Sequence, residues 1–257
     1  MQTLRVDLNA DVGESFGARR SGDDEPIFRY VTSGNVACGF HAGDPNIIAA
    51  TIKAASACGV SVGAHPSYPD SGGFGRTSIE IAPDDLENAV LYQIGAVDAV
   101  ARGLGVRLVH VKPHGALYND AAKNGAIAAA IARSVAAYDR ELILVGLAGS
   151  LSLEAARDAG LRFVAEGFCD RAYEADGSLR SRARSGAVYE DPKKAAAQAL
   201  EIVVRNRVET GGGKTTAVHA QTLCIHGDSP NATEIASAVR GALAEAGVRV
   251  VPMSQLA

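Results

Sequence analysis

The feature that most constrains this chain is a unit repeated along its length: a short β-branched run, a turn rich in Gly, His and Asp, then an Ala-rich stretch with helical spacing. The spacing predicts strands near 4–9, 35–40, 60–64, 106–112, 142–147, 162–166 and 221–226. Helices are predicted near 44–57, 83–102, 120–136, 151–158, 192–208 and 231–246. Pro45 and Pro83 fall at or near first helical turns, and Gly59, Gly103, Gly160 and Gly247 stop helices ahead of the next strand. Alternation of this kind calls for a parallel sheet with right-handed crossovers. Seven such units and a terminal strand at 248–252 fit a closed or nearly closed α/β barrel, one domain over 1–257, better than two domains, because no linker-like stretch interrupts them. The longest irregular pieces, 11–34, 65–82 and 168–191, each follow a strand, where barrels of this type build their active sites.

A strand sends alternate side chains to opposite faces, so parity separates the barrel interior from the helix-facing surface. In the first strand Leu4, Val6 and Leu8 oppose Asp7, Asn9 and Asp11. In the third, Val60, Val62 and Ala64 oppose Ser61, Gly63 and His65; in the fourth, Val109 and Val111 oppose His110, Lys112 and His114. The sixth offers Glu166 beside Val164, and the seventh sets Leu223 and Ile225 against Thr222, Cys224, His226 and Asp228. The apolar parity must face the helices, so the polar parity points inward. A single buried His or Asp is ordinarily a hydrogen-bonded core residue. Here His41, His65, His114, His226, Asp11, Glu166, Asp170, Asp228 and Lys112 would converge on one end of one barrel. A purely structural chain would fill that space with Val and Ile, since unpaired interior charge costs several kcal/mol. The pattern therefore reads as a catalytic pocket, with His110, deeper in its strand, as structural.

Composition narrows the partners. With 25 Lys and Arg against 29 Asp and Glu there is no basic excess to neutralise phosphates, which argues against a nucleic-acid partner. No apolar stretch approaches the roughly 18 residues of a membrane span, and the first residues lack the pattern of a signal peptide, so a cytoplasmic location is expected. Cys38, Cys58, Cys169 and Cys224 lie far apart, without a CxxC pair, and read as reduced thiols. Gly211-Gly-Gly-Lys214-Thr215 echoes a phosphate loop, but the required first glycine would fall at Val208 and no helix follows; it reads as a flexible connection. Asp11, His41 and His114 have the residue types of an N/O metal site, whereas Lys112 on the same face argues against a cation. No metal ligand is assigned on that ground, and a divalent cation is left undecided.

The strings at the strand ends carry a resemblance. NADVGESFG (9–17), SGNVACGFHAGDP (33–45), GAHPSYPDSGGFGR (63–76), VKPHGALYN (111–119), EGFCDRAYEADGSLRSR (166–182) and CIHGDSPNA (224–232) resemble the LamB/YcsF family, in order and over essentially the whole chain. Cys169 and Thr77 depart from the pattern expected there. The resemblance implies a distorted seven-stranded β/α barrel related to the glycoside hydrolase/deacetylase barrels. It also implies one component of an ATP-dependent 5-oxoprolinase that opens the lactam of 5-oxo-L-proline to L-glutamate beside separate B and C subunits. ATP would be a co-substrate handled with those partners, because this chain shows no credible phosphate loop. Asp11 or Glu166 would then be the general base, and His114 or His41 the donor of a proton to the departing ring nitrogen. Lys112 and Arg171 would hold carboxylate or phosphate charge. Asn9, His65 and Arg76 would orient the ring or line a closing loop, Asp170 would join the substrate-binding set, and Asp228 would fix the tautomer of His226. The competing readings are a metal-dependent amidohydrolase or deacetylase acting without ATP, and a non-catalytic subunit binding a small ligand.

Overall fold

The computed structural model describes residues 3–17, 24–211, 213–227 and 231–257; Asp228 lies outside them. Among the described residues the strands are β1 (Arg5–Val12), β2 (Ser33–Ala37), β3 (Ser61–His65), β4 (Leu108–Val111), β5 (Ile143–Leu147), β6 (Arg162–Phe168), β7 (Arg207–Thr210), β8 (Lys214–Ala217), β9 (Thr222–Ile225) and β10 (Arg249–Val250). Strands β1 to β6 pair in parallel in chain order, β9 pairs with β6, and β9 also pairs with β1, which closes a seven-stranded barrel. The short β10 adds to the first two residues of β1, beside the ring. Around it lie α1 (Pro45–Ala57), α2 (Pro83–Gly103), α3 (Gly115–Ala121), α4 (Gly125–Tyr138), α5 (Leu151–Asp158), α6 (Pro192–Arg205) and α7 (Ala232–Glu245).

Local chemistry explains where the helices start. Asp44 accepts from the amides of Asn46 and Ile47 with Pro45 at the first helical position, and Asp191 accepts from the amide of Lys193 ahead of Pro192. Helix α2 buries Leu86, Val90, Ile94, Val97 and Ala101, one stripe at helical spacing. Those side chains meet the outer faces of β3 and β4, where Val62, Ala64 and Val111 are buried in the same cluster. Each large aliphatic placed there contributes about 1.5–3 kcal/mol.

Three details depart from the sequence reading. The helix expected at 120–136 is two helices, because Asn124 accepts from the amides of Ala126 and Ile127 and starts a new one. The helix expected to reach 208 ends at Arg205, where Asn206 takes a left-handed conformation (φ 51°). Strands β7 and β8 then pair antiparallel, Arg207 with Ala217 through Thr210 with Lys214, so Lys214 and Thr215 stand in a strand. The third departure is in β4. The register with β3 shifts between Val62 and Gly63, and Val109 packs against the inner cluster of Ile143, Val145, Val164 and Met253, not against the helices with Val111. Gly63 is required opposite this irregularity: a Cβ there would sit 2.2 Å from Nε2 of His110.

Candidate active site

The inward parity of the strands builds a polar column. At its base the Asp7 carboxylate accepts from the hydroxyls of Ser33 (2.7 Å), Thr32 (2.8 Å) and Thr222 (2.5 Å). Burial dominates those hydrogen bonds and raises its pKa to about 6. Above it Asn9 donates to Glu166 Oε1 (2.8 Å) and Thr222 (2.7 Å), while Asn35 donates to Asn9 Oδ1 (2.7 Å) and Asp11 Oδ1 (2.8 Å). His110 donates from Nε2 to Asn35 Oδ1 (2.7 Å), and burial lowers its pKa to about 3, so it serves the network as a neutral ring.

Lys112 ends the column, 2 % exposed. Its Nζ lies 2.9 Å from Asp11 Oδ1 and 3.1 Å from Glu166 Oε1, and donates to Asn9 Oδ1 (3.2 Å) and Cys224 Sγ (3.0 Å). Burial disfavours the ammonium, but Asp11 and Glu166 outweigh it and hold Lys112 well above its ordinary range. Burial likewise works against the Asp11 carboxylate, and His65 and Lys112 overcome it and hold it well below the usual range. Among the described residues, Glu166 Oε2 and the Tyr118 hydroxyl, both buried, have no partner in good hydrogen-bond geometry. Burial and the nearby Glu166 push that phenol up.

Above Asp11, at the carboxyl ends of the strands, three imidazoles surround Glu14. His41 Nε2 is 3.1 Å and His114 Nδ1 3.2 Å from Glu14 Oε1, and His65 Nε2 is 3.4 Å from Asp11 Oδ2. His41 stacks on His114 with centroids 3.9 Å apart and planes 4° from parallel. Burial lowers both rings well below the usual histidine range. Phe74, at φ 57° a rare conformation for a bulky residue, aims its carbonyl at His114 Nε2 (2.9 Å) and sets its ring edge-on to both His41 and His114.

A cavity of about 460 Å³ opens over this arrangement, within the range of small-molecule sites. Asp11, Glu14, His65, Lys112, His114 and Tyr118 line it from the barrel, Phe168, Arg171 and His226 from the β6 and β9 ends. Arg76, Lys123, Arg180 and Arg182 give its mouth a cationic lining.

The structure thus brings Asp11, His65, Arg76, Lys112, His114, Arg171 and His226 onto one cavity. Asn9 and Glu166 lie beneath it as partners of Lys112, and His41 stands behind His114. Asp170 has the task expected of Asp228: it accepts from His226 Nδ1 and from the His226 amide, both at 2.9 Å. Arg171 donates from Nε to Ala187 O (3.2 Å) and from Nη2 to Arg180 O (2.6 Å), so its fork braces the loop after β6. Burial lowers this guanidinium to about 10. Parity counting missed Glu14 because the strand ends before it, at Gly13 with φ 70°. It also missed Tyr118, on a helix that the sequence did not separate.

Fold and site together define a class: a parallel β/α barrel with buried acids, imidazoles and one lysine gathered under a cation-rimmed cavity at the carboxyl ends of its strands. The chain belongs to the LamB/YcsF family, which it matches over residues 6–257. It is 52% identical over 248 residues to the 5-oxoprolinase A subunit of Methylococcus capsulatus, covering 96% of this chain and 95% of that one. The 5-oxoprolinase A subunit of Syntrophobacter fumaroxidans is 50% identical over 250 residues, 97% and 99% of the two chains. Among solved structures, the lactam utilization protein from Thermus thermophilus superimposes with a TM-score of 0.90 at 50% identity, covering 96% of this chain and 99% of that one. A T48 deacetylase with substrate shares the fold alone, with a TM-score of 0.51 at 16% identity over 99% of this chain and 90% of that one. Among the described residues no helix is long and apolar enough to cross a membrane.

Proposed function

We propose that this chain is the A subunit of a cytoplasmic ATP-dependent 5-oxoprolinase and that its cavity opens the lactam of 5-oxo-L-proline to L-glutamate. The observation that carries the reading is the end-to-end likeness, at about half identity, to proteins bearing that name. The cavity's chemistry supports it. A five-membered lactam is an unstrained amide that water attacks slowly, so opening must be coupled to ATP. The partner B and C subunits would phosphorylate the amide oxygen, since Lys214 and Thr215 stand in β8 and, among the described residues, no helix amino terminus lies behind them to hold phosphate.

The activated lactam is anionic at its carboxylate and phosphate, which suits a mouth lined by Arg76, Lys123, Arg180 and Arg182. Water adds to the ring carbon, the carbon–nitrogen bond breaks with a proton delivered to nitrogen, and a second water releases phosphate from the resulting acyl phosphate. Lys112, held between Asp11 and Glu166, keeps those two acids ionised and in place beneath the substrate. His226 is the best-built proton carrier at the cavity: Asp170 fixes its Nδ1 as donor and leaves Nε2 for substrate or water. His114 is less suited to that work, since its Nε2 is committed to the Phe74 carbonyl, and His41 stands behind it. Asp11, with its low pKa, anchors Lys112 more readily than it accepts a proton.

The test is glutamate release from 5-oxo-L-proline and ATP by this chain alone, by B and C subunits alone, and by all three mixed. Turnover confined to the full mixture is expected. Silence in every mixture, with each protein shown to be folded, would overturn the reading.

A further inference from the structure

Hydrogen bonds on the far sides of His65 and His114 determine what their near sides can do. His65 Nδ1 lies 2.6 Å from the Lys112 carbonyl and His114 Nε2 lies 2.9 Å from the Phe74 carbonyl. A carbonyl only accepts, so both nitrogens carry hydrogen, and any lone pair these rings have is on His65 Nε2 and His114 Nδ1. These two acceptors face each other at 3.0 Å. Glu14 Oε1, a third acceptor, is 3.2 Å from His114 Nδ1 and 3.9 Å from His65 Nε2. Two facing lone pairs at 3.0 Å repel unless a cation or a proton lies between them, and Glu14 Oε1, which already accepts from His41, adds negative charge on the same side.

We propose that His65, His114 and Glu14 are the ligands of a divalent transition-metal ion of the zinc class, bound with its open position toward the cavity. The spacing fits. Bonds of about 2.0–2.2 Å to a tetrahedral ion place ligand atoms about 3.3–3.5 Å apart, and the three separations here run from 3.0 to 3.9 Å. Two imidazoles and one carboxylate, each imidazole donating its other nitrogen to a backbone carbonyl, is the pattern of a metal site with its tautomers already set. The left-handed Phe74 is explained by the same requirement, because its carbonyl sets the tautomer of His114. All three ligands line the cavity, so the remaining coordination position opens onto the space where substrate would lie, and the ion would supply a Lewis acid there.

The set differs from the one the sequence suggested. His41 is parallel to His114 at 3.9 Å, and one ion cannot lie in the planes of two stacked rings. His41 instead donates from Nε2 to Glu14 Oε1 and orients that ligand. Asp11 Oδ2, 3.4 Å from His65 Nε2, is committed through its other oxygen to Lys112. The ammonium that argued against a cation is therefore spent on Asp11 and Glu166, one layer below Glu14.

The whole chain, stripped by chelator, is titrated with CoCl2 and followed by visible absorption and by the imidazole nitrogen resonances of ¹⁵N-histidine-labelled protein, with ZnCl2 as the diamagnetic counterpart. One ion per chain is expected, with tetrahedral cobalt bands and zinc-induced shifts at His65 Nε2 and His114 Nδ1. Glu14→Gln and His65→Gln should abolish the bands, and His41→Asn should weaken binding about 10–100-fold, as loss of a ligand's hydrogen-bond partner does. The wild-type nitrogen shifts do not depend on any variant folding. No cobalt bands in the wild type, or bands unchanged in folded Glu14→Gln, would overturn the proposal and leave a shared proton between the two imidazoles.

Discussion

Replacing Lys112 by Met tests the polar column most directly. The side chain is almost fully buried, and its Nζ is the cation within 3.1 Å of both Asp11 and Glu166. Met keeps most of the volume and removes the charge, leaving two carboxylates in the interior, Asp11 with the Asn35 amide and His65 and Glu166 with the Asn9 amide. Breaking a buried pair from one side costs about 3–5 kcal/mol near neutral pH, and at this chain length each kcal/mol moves Tm by about 2–4 °C. A fall of about 6–20 °C is therefore expected, within the reserve of a typical domain. The loss must also depend on pH. In the wild type Asp11 titrates well below its ordinary range, so its contribution is present above that range and disappears only as pH falls through the depressed value. Without Lys112 burial acts with less opposition, the carboxyl takes up a proton at higher pH, and the gap between variant and wild type narrows on acidification. Urea unfolding followed by circular dichroism from about pH 8 down to about pH 5 measures both quantities. A deficit under about 1 kcal/mol near pH 7, or one that stays constant on acidification, would refute the claim that this lysine holds the two acids in place.

Asp7 gives the opposite sign. Its folded pKa of about 6 lies above its ordinary 3.8, so it favours the folded state below about pH 4 and loses that advantage as pH rises through about 6, a difference of about 3 kcal/mol. Asp7→Asn should flatten the stability profile over that interval, and an unchanged slope in urea midpoints would count against the assignment. Asp170→Asn replaces an acceptor facing His226 Nδ1 with a group that can favour the wrong tautomer, so turnover by the mixed subunits should fall about 10²–10⁴-fold while Tm changes far less. Undiminished turnover would remove His226 from proton transfer.

The barrel was legible because its two faces differ so sharply in polarity. Val6, Leu8 and Ala10 against Asp7, Asn9 and Asp11 fix which way β1 faces, and the same alternation places His65, Lys112 and Glu166 inside. Parity fails where the strand is not regular. At Val109 a register shift turns inward a side chain that strict alternation sends outward, and past Gly13 the chain bends so that Glu14 joins a face it could not be assigned to. Pairings between loops were also out of reach of periodicity. The sequence reading gave His226 to Asp228, which lies outside the described residues, and it is the path of the chain after β6 that brings Asp170 within 2.9 Å of the His226 ring. The pairing of β7 with β8 was hidden by a helix pattern that runs smoothly up to Asn206 and by glycines that suggested slack.

The seam of the barrel has a consequence for how the chain must fold. Asn9 and Asp7 on β1 are tied to Thr222 on β9 across 213 and 215 residues. Closing loops of that length is slow, and the parallel pairing gives no early reward for bringing the ends together. During synthesis β1 emerges first and leaves the ribosome long before β9 exists. Lys112 can meet Asp11 and Glu166 from one side, but Cys224 and His226 arrive only when the seam shuts. Until then an arc of sheet carries ionised groups on its concave face and free backbone at both edges, a template for unwanted strand pairing. The acids, imidazoles and lysine that equip the finished barrel for chemistry thus also keep the half-built one soluble while it waits for its last strand.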